Sequence, residues 1–570
     1  MSLNNKVACP LDCFDACEAV YKDEKCKPNP DHFVTNGKLC VKFAHLLNEK
    51  NLISSKDEKN NVSLDESLNI LKKKLDETEA SKVLYYKGSG NLGVMQSSPK
   101  VFFDKYGATF TKGSLCDGGG GEGLEQGRGL VVNPPLENLL NADVVIAWGR
   151  NFSITSPHMY ELVKDKTFIT IDPIVTDMAK KSELHLQLNP KTDHELALLL
   201  TRFAYMDDMD DAESYEEYSS GADWFFDLAK SRPLVSYEAT IGVHLSKVVK
   251  LIDMIKNKKI AIMVGLGVQK YYEGSQIIRA IDSFAAYIGV HNKNAGGLWY
   301  LADSSYGYEN QFKVTPAKKV DITTVDFGSY DVVFIQGANP VVSSPNTQKV
   351  IDGLKNSYVV YFGTTYNDTC EYANLIIPSA DFLTKRDVRL SYGHEYKAIS
   401  DAVKLKDENC ITEYELANFL LNSFGFDSLE PEEKILDYYI NTKPDLPVSP
   451  SIESFEFIEE LEIDALYEQK KQDEFYLITA KAKNNLNSQF KIDNCAYLHS
   501  SSGFKDGAEV VLSSLHGKAK FTVRLCEDIH KESVLIYAGA KQGNYITPYK
   551  SDESSFSAIY QEVLVSIELS

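Results

Sequence analysis

Three cysteines crowd the start of the chain in ACPLDCFDACEAV. They are Cys9, Cys13 and Cys17, and a fourth, Cys40, follows in NGKLCVKF, so the spacing is C-x3-C-x3-C-x22-C. Four thiolates can hold a tetrahedral zinc or an iron-sulfur cluster. Structural zinc usually takes two close pairs, whereas three close cysteines and one remote fit a cubane whose ligands come from a loop and a distant element. The pattern favours a [4Fe-4S] cluster, with zinc as the competing reading. Cys26, in KCKPNPD, is a spare thiol in a stretch that reads as a turn. A second chemical signal is Cys116, followed by Asp117 and then four consecutive glycines, Gly118 to Gly121. Such a run costs backbone entropy and marks main chain that must pass close to something bulky or adopt positive φ. The thiol beside it is either a metal ligand or a small buried residue.

Composition limits what these groups can serve. The chain has 570 residues, 43% hydrophobic and 25% charged, enough for several layered domains. Its net charge of −21 argues against a nucleic-acid partner, because phosphate binding needs a surplus of Lys and Arg. No apolar run reaches the roughly 18 to 20 residues that span a bilayer, and MSLNNKVACP carries neither a twin-arginine pair nor an apolar leader. A cytoplasmic location is expected, where clustered thiols read as metal ligands or catalytic groups rather than disulfides. Cys370, Cys410, Cys495 and Cys526 are scattered and read as small core residues. The acidic run MDDMDDAESYEEY reads as a solvated surface loop.

The elements that must position such groups show in an internal repeat. DVVIAWGRNFSITSP (143 to 157) and DVVFIQGANPVVSSP (331 to 345) match without gaps as D-V-V-x3-G-x-N-x3-[TS]-S-P, 188 residues apart. Each opens on a continuously apolar run, as a buried parallel strand does, ends in a Gly-x-Asn turn, and is followed by a second strand, TFITIDP or YVVYFGTT. Ligands of open α/β sheets sit at the carboxyl ends of strands, where glycine lets backbone approach and an acid such as Asp172 receives a ribose or base. Two related halves suggest two related ligands, or two lobes that simply stack. In KIAIMVGLGVQKYYEGSQIIRAIDSFAAYIG a strand runs into Gly265-x-Gly267, and Ile277, Ile278, Ile281, Phe284, Ala285 and Ile288 recur on one helical face. Without a third glycine this is a weak dinucleotide signal and reads equally as a tight strand-to-helix turn. From YLITAKAKNNLNSQF onward the chain turns strand-rich, with alternation in GKAKFTVRL.

Together CPLDCFDAC with GKLCVK, then GSGNLG, IDPIVTDMA, LNPKTDHE, GLGVQKYYEGSQIIRAIDSFAAYIG, QGANPVVSSP, NLIIPSADFLTKRD and SYGHEY fall in the order of the family blocks that they resemble. The chain resembles the molybdopterin oxidoreductases of the dimethyl sulfoxide reductase superfamily, which includes formate dehydrogenases, nitrate reductases, polysulfide reductases and acetylene hydratase. The resemblance implies a multi-domain α/β fold with pseudo-symmetric lobes, a small N-terminal iron-sulfur domain and a C-terminal six-stranded β-barrel. The implied boundaries are 1–55 for the [4Fe-4S] domain, 56–110 with 300–440 for one lobe, 111–299 for the other and 470–570 for the barrel. It implies molybdenum or tungsten bis(molybdopterin guanine dinucleotide) as cofactor, with Cys116 as the protein ligand to the metal. Lys42 matches the lysine between cluster and pterin. Gly149, Asn151, Asp172 and Asp193 match loops holding one dinucleotide, with Gly265 and Gly267 in a neighbouring block; Gly337, Asn339 and Gln269 fall in blocks near its partner. Asn487, Ser488 and Asn544 match contact loops of the barrel.

The implied activity is two-electron chemistry on a small molecule, with electrons relayed singly through the cluster to a partner protein or subunit. Two other readings stand beside it: a non-redox hydratase with Asp117 as acid or base, and a relay subunit that keeps the fold without the metal. Asp117 stands where formate dehydrogenases typically carry His, which weakens formate as substrate.

Overall fold

The computed structural model describes residues 5–444, 452–490 and 492–570; the first four residues of the stretch MSLNNKVACP lie outside them. Two parallel sheets dominate, and each is built around one copy of the repeat. In the first the order is Leu184–Leu186, Thr167–Ile171, Val144–Trp148, Ile260–Val264, Gly297–Trp299, all parallel. Val144–Trp148 is wholly buried, as its unbroken apolar run requires of a central strand covered on both faces. The second sheet has eight strands in the order Lys319–Asp321, Thr109–Lys112, Val83–Lys87, Val332–Gln336, Tyr358–Gly363, Leu375–Pro378, Ser55–Asp57, Asn60–Val62. It is parallel as far as Leu375–Pro378 and closes on an antiparallel hairpin.

The register makes the two halves equivalent residue by residue. Trp148 of the first repeat pairs with Ile171 and Val264, and Gln336 of the second pairs with Phe362 and Lys87. A three-stranded antiparallel sheet (Lys6–Ala8, Glu18–Lys22, Lys25–Pro28) carries the cysteine-rich start, and Cys40 precedes the helix Val41–Leu47. The C-terminal strands close into a six-stranded barrel, Glu474–Ala480, Ser533–Tyr537, Cys495–Leu498, Lys518–Leu525, Glu509–Ser513 and Leu564–Leu569. The fold class is the one the resemblance implies.

One local expectation is resolved and two change. The glycine run after Cys116 opens the helix Gly118–Arg128, and none of the four has positive φ. Close approach is what most of this helix's glycines require: a Cβ on Gly120 would stand 2.2 Å from the Tyr300 ring, and one on Gly123, beyond the run, 2.3 Å from the Ser275 carbonyl oxygen, whereas one on Gly121 would meet nothing nearer than 3.9 Å. The first change concerns the helix Gly274–Tyr287, expected to bury one face. It buries nearly every side chain because the glycine-rich helix covers one side and Asp193–Met206 packs against it too. The acidic run is likewise not a free loop, since Ala212–Tyr215 is helical, Tyr215 is buried and Asp211 pairs with Lys293 at 2.8 Å.

A buried charge group ties these helices. Asp282 lies 3.5 Å from Arg128 Nε and 2.9 Å from His291 Nε2, with both acid and guanidinium out of solvent. Burial alone would raise the Asp282 carboxyl, but Arg128 and His291 hold it below its ordinary value. Replacing Asp282 with Asn leaves Arg128 buried without a countercharge, and the expected loss is about 3–5 kcal/mol. Chemical denaturation of the variant checks this, and a loss under about 1 kcal/mol would contradict the account.

Candidate active site and cofactor cavity

The carboxyl ends of both sheets open into one cavity of about 1190 Å³. Gly149 and Gly337 turn the chain there with φ of 59° and 55°, the left-handed conformation that favours glycine. Three hydrogen bonds repeat between the halves. Gly149 N donates to Ile171 O as Gly337 N donates to Phe362 O, and Gly265 N donates to Trp148 O as Gly88 N donates to Gln336 O. The third comes from the asparagines: Asn151 Oδ1 accepts from Met178 N and Asn339 Oδ1 from Thr369 N, each pinning the loop beyond the neighbouring strand. The loops then touch at backbone distance. A Cβ on Gly265 would lie 1.8 Å from the Gly149 oxygen, and one on Gly88 or Gly90 2.6 Å from the Gly337 oxygen. Gly88 and Gly90 open the GSGNLG block noted in the sequence but were not among the expected site residues, although GSG at 88–90 parallels GLG at 265–267.

Cys116 stands between the halves on the same cavity wall. Its carbonyl accepts from Gln269 Nε2 and Lys270 Nζ, each at 2.6 Å, while its N–H donates to Ser114 Oγ at 2.9 Å. Gln269 Oε1 also accepts from Gly120 N at 3.1 Å. Gln269, expected near the second dinucleotide loop, therefore sits under the Cys116 loop: it follows the Gly265-x-Gly267 turn of the first sheet, which faces that loop. Asp117 accepts from the Ser114 hydroxyl at 2.8 Å and is not among the cavity-lining residues, whereas Asp12 is. Burial pushes the Cys116 thiol up to about 12, Asp117 and Asp12 add to the rise, and Lys481 and Lys270 oppose it.

The remaining expected residues are distributed as follows. Gly149, Asn151, Asp172, Asp193, Gly265, Gly267, Gly337, Asn339, Asn487, Ser488, Asn544 and Lys42 all line the cavity. Asp172 and Asp193 are buried, and desolvation raises their carboxyls to about 7 and about 6 despite hydrogen bonds from Ile174 N and Trp148 Nε1. The barrel closes the top, with Asn544 Nδ2 donating to Val342 O at 2.6 Å and Gln561 Nε2 to Gly267 O at 2.8 Å.

Cys9, Cys13, Cys17 and Cys40 come together at the N-terminus, with Cys9 N donating to Cys17 O at 2.8 Å. Burial is the first cause of the raised Cys9 and Cys17 thiols; neighbouring thiols add to it at Cys9, and Asp15 and then neighbouring thiols at Cys17. Among the described residues, the group of three or more ligand-type atoms within 4.8 Å of one another is Asp15, Cys17 and His158, not the cysteines. One tetrahedral zinc needs sulfurs about 3.8 Å apart, as Zn–S bonds of about 2.3 Å dictate. Cys26 lies on the strand Lys25–Pro28 rather than in a turn, packed against the same apolar cluster as Cys9 and Cys17, its charged neighbours being Lys404 and Asp381. Lys42, buried beside Cys13 and Cys40, also feels Lys481, which in turn faces Cys116 and Lys270. Sequence reasoning missed His158, whose Nδ1 lies 3.2 Å from Cys17 Sγ and 2.8 Å from Asp15 Oδ2, since 141 residues separate it from Cys17.

Residues 16–411 match the family model described as molybdopterin oxidoreductase. The chain belongs to the molybdopterin oxidoreductase family. It is 26% identical over 495 residues to "Probable oxidoreductase YyaE" of Bacillus subtilis, covering 77% of this chain and 74% of that protein. It is 23% identical over 413 residues to the assimilatory nitrate reductase catalytic subunit of the same organism, 62% of this chain and 58% of the relative. Among solved structures, acetylene hydratase from Pelobacter acetylenicus superposes with a TM-score of 0.83 at 15% identity, over 99% of this chain and 100% of that one. Together these matches place the protein in the dimethyl sulfoxide reductase superfamily.

The cavity fits the pterin cofactor that this family binds. Its wall carries Lys42, Arg150, Lys270 and Lys481 among both basic and acidic side chains, and its glycine loops leave room for a ligand to lie against bare backbone. A methyl at position 265 would force the paired loops apart. Gly265→Ala is expected to cost about 1–3 kcal/mol by overpacking and to lower pterin content. Gly267→Ala, whose Cβ would meet its nearest neighbour at 3.9 Å, should keep the wild-type Tm. Equal melting of the two variants would contradict the close-contact reading.

Proposed function

We propose that this molybdopterin-family protein is an oxidoreductase that carries out two-electron chemistry on a small molecule with molybdenum or tungsten held by two pterin guanine dinucleotides. The observation that carries the reading is the position of Cys116, anchored through its carbonyl where two pseudo-equivalent glycine loops open on one cavity. Soft thiolate and dithiolene sulfur suit a metal that cycles between oxidation states two electrons apart. Gly149, Asn151, Asp172, Asp193, Gly265 and Gly267 would hold one dinucleotide, Gly337 and Asn339 the other, with Asn487, Ser488 and Asn544 capping both. Gln269 and Lys270 would fix the Cys116 loop. Cys9, Cys13, Cys17 and Cys40 would hold a [4Fe-4S] cluster, and Lys42, near Cys13, Cys40 and Lys481, would lie between it and the metal on Cys116, in line with single-electron passage to a partner protein in the cytoplasm. Among the described residues no helix is long and apolar enough to cross a membrane.

Anaerobically purified protein is expected to contain about four irons, one molybdenum or tungsten and two GMP per chain after hydrolysis, as the cluster and paired dinucleotides dictate. Cys116→Ala should abolish turnover while the iron signal stays. Iron without molybdenum or tungsten would indicate a relay subunit, and turnover with no electron acceptor would indicate a hydratase, as the name of the structural relative suggests.

Asp172 supplies a pH test. Guanine presents N–H donors, which select an ionised carboxylate. Burial holds the Asp172 carboxyl near about 7, so the acid is largely neutral at pH 6 and ionised at pH 8. GDP binding to cofactor-free protein should therefore tighten as pH rises across that window. Stability of the empty protein should run the opposite way, because a carboxyl raised in the folded state contributes stability that is lost as pH rises through about 7. Asp172→Asn should flatten the binding profile, and a flat wild-type profile would remove Asp172 from the nucleotide site.

A further inference from the structure

The second sheet carries a cation that its architecture does not require. Val264 and Lys87 are pseudo-equivalent: each is the last residue of its strand, paired with Trp148 or Gln336 and followed by a Gly-x-Gly turn. The turn forms equally well after the apolar, fully buried Val264. Lys87 instead joins the cavity wall that includes Cys116, Asp12 and Tyr392.

The acids whose charges reach Lys87 are already engaged. Glu413 receives Lys385 Nζ at 2.8 Å on Oε2, and Asn91 Nδ2 at 2.7 Å and Ser379 Oγ at 3.3 Å on Oε1. Asp12 receives the Tyr392 hydroxyl. Among the described residues Lys87 has no ion-pair partner, while Lys100 adds a second positive charge nearby. Burial draws the Lys87 ammonium down to about 8, with Lys100 adding to the fall and Asp12 and Glu413 resisting it. An ammonium with free donors on the wall of a ligand cavity is completed by an anion from the cavity side.

We propose that Lys87 is the charge-recognition residue of the substrate pocket, and that the small molecule handled beside Cys116 carries a negative charge, as an oxyanion or carboxylate. The inference rests on the functional reading above. An anionic group could also come from a cofactor phosphate, and cofactor content separates the two sources.

The test uses purified holoenzyme, with nitrate and formate as anionic probes and dimethyl sulfoxide and acetylene as neutral ones. Binding is read by calorimetry and by perturbation of the metal's EPR signal, and steady-state kinetics follow for any probe turned over. The wild type is expected to bind at least one anion and to prefer it to both neutral probes. Lys87→Met should weaken that binding about ten- to hundredfold, the range of one charge-assisted hydrogen bond. In kinetics KM should rise by a similar factor with kcat little changed. Lys87→Arg should recover most of the binding, and both variants should keep wild-type metal and GMP content. Unchanged anion binding in Lys87→Met, or preference of the wild type for the neutral probes, would overturn the proposal. Loss of GMP from Lys87→Met with anion binding per loaded site intact would assign Lys87 to the cofactor and overturn it too. Wild-type protein lacking both metal and nucleotide would instead sink the functional reading itself.

Discussion

The architecture depends on backbone meeting backbone where the two sheets end. Gly265 lies so close to the Gly149 carbonyl, and Gly88 and Gly90 so close to that of Gly337, that no side chain fits between the turns. This contact aligns the strand ends of each sheet and sets the mouth of the cavity. It also explains why the repeat keeps glycine and asparagine at the same places. The glycine takes the left-handed turn, and the asparagine amide fastens the loop beyond the neighbouring strand. Cys116 is placed by the same logic one layer out, because Gln269 and Lys270 leave the Gly265-x-Gly267 turn and grip its carbonyl.

Much of this was legible in the sequence because it rests on local rules. Unbroken apolar runs such as VVIAW and VVFIQ marked central strands buried on both faces, and the ungapped repeat marked equivalent loops. What was not legible involves groups brought together across long chain separations. Asp12 reaches the cavity through the loop of the cysteine module, and Tyr392 meets it from 380 residues away. The one-sided pattern read in the helix Gly274–Tyr287 failed because a second, glycine-rich helix packs closely over the side expected to face water. Glycines in Gly118–Arg128 lower helix propensity by about 1 kcal/mol each relative to alanine, so tertiary packing holds this helix.

The halves are equivalent in backbone but not in chemistry. Asp172 follows the second strand of the first repeat, while the register places Gly363 at the matching position of the second. The carboxylate of the second half is Asp368, which accepts from Asn339 Nδ2 and pairs with Lys541 of the barrel, so its charge is already answered by protein. Lys87 against Val264 is the same kind of departure. A duplicated framework that conserves the turns and varies the ionisable groups gives two sites with one shape and different electrostatic demands.

The N-terminal module shows how electrostatics constrains the site from the other side. Burial and mutual repulsion raise the thiols of Cys9, Cys13 and Cys17, with Cys13 reaching about 12. Holding these neighbouring groups as thiolates at neutral pH therefore needs positive charge, of which Arg389 beside Cys9 and Cys13 and Lys42 supply only part, Lys42 being itself disfavoured as a cation by burial. Cys9 and Cys17 also belong to the module's apolar core, packed with Phe43, Phe382 and Leu486, so the ligand positions proposed above are core positions too. A metal centre that converts these thiols to thiolates would thereby stabilise the packing between the N-terminal strands, the second lobe and the barrel, and its binding free energy would become folding free energy for that corner of the protein.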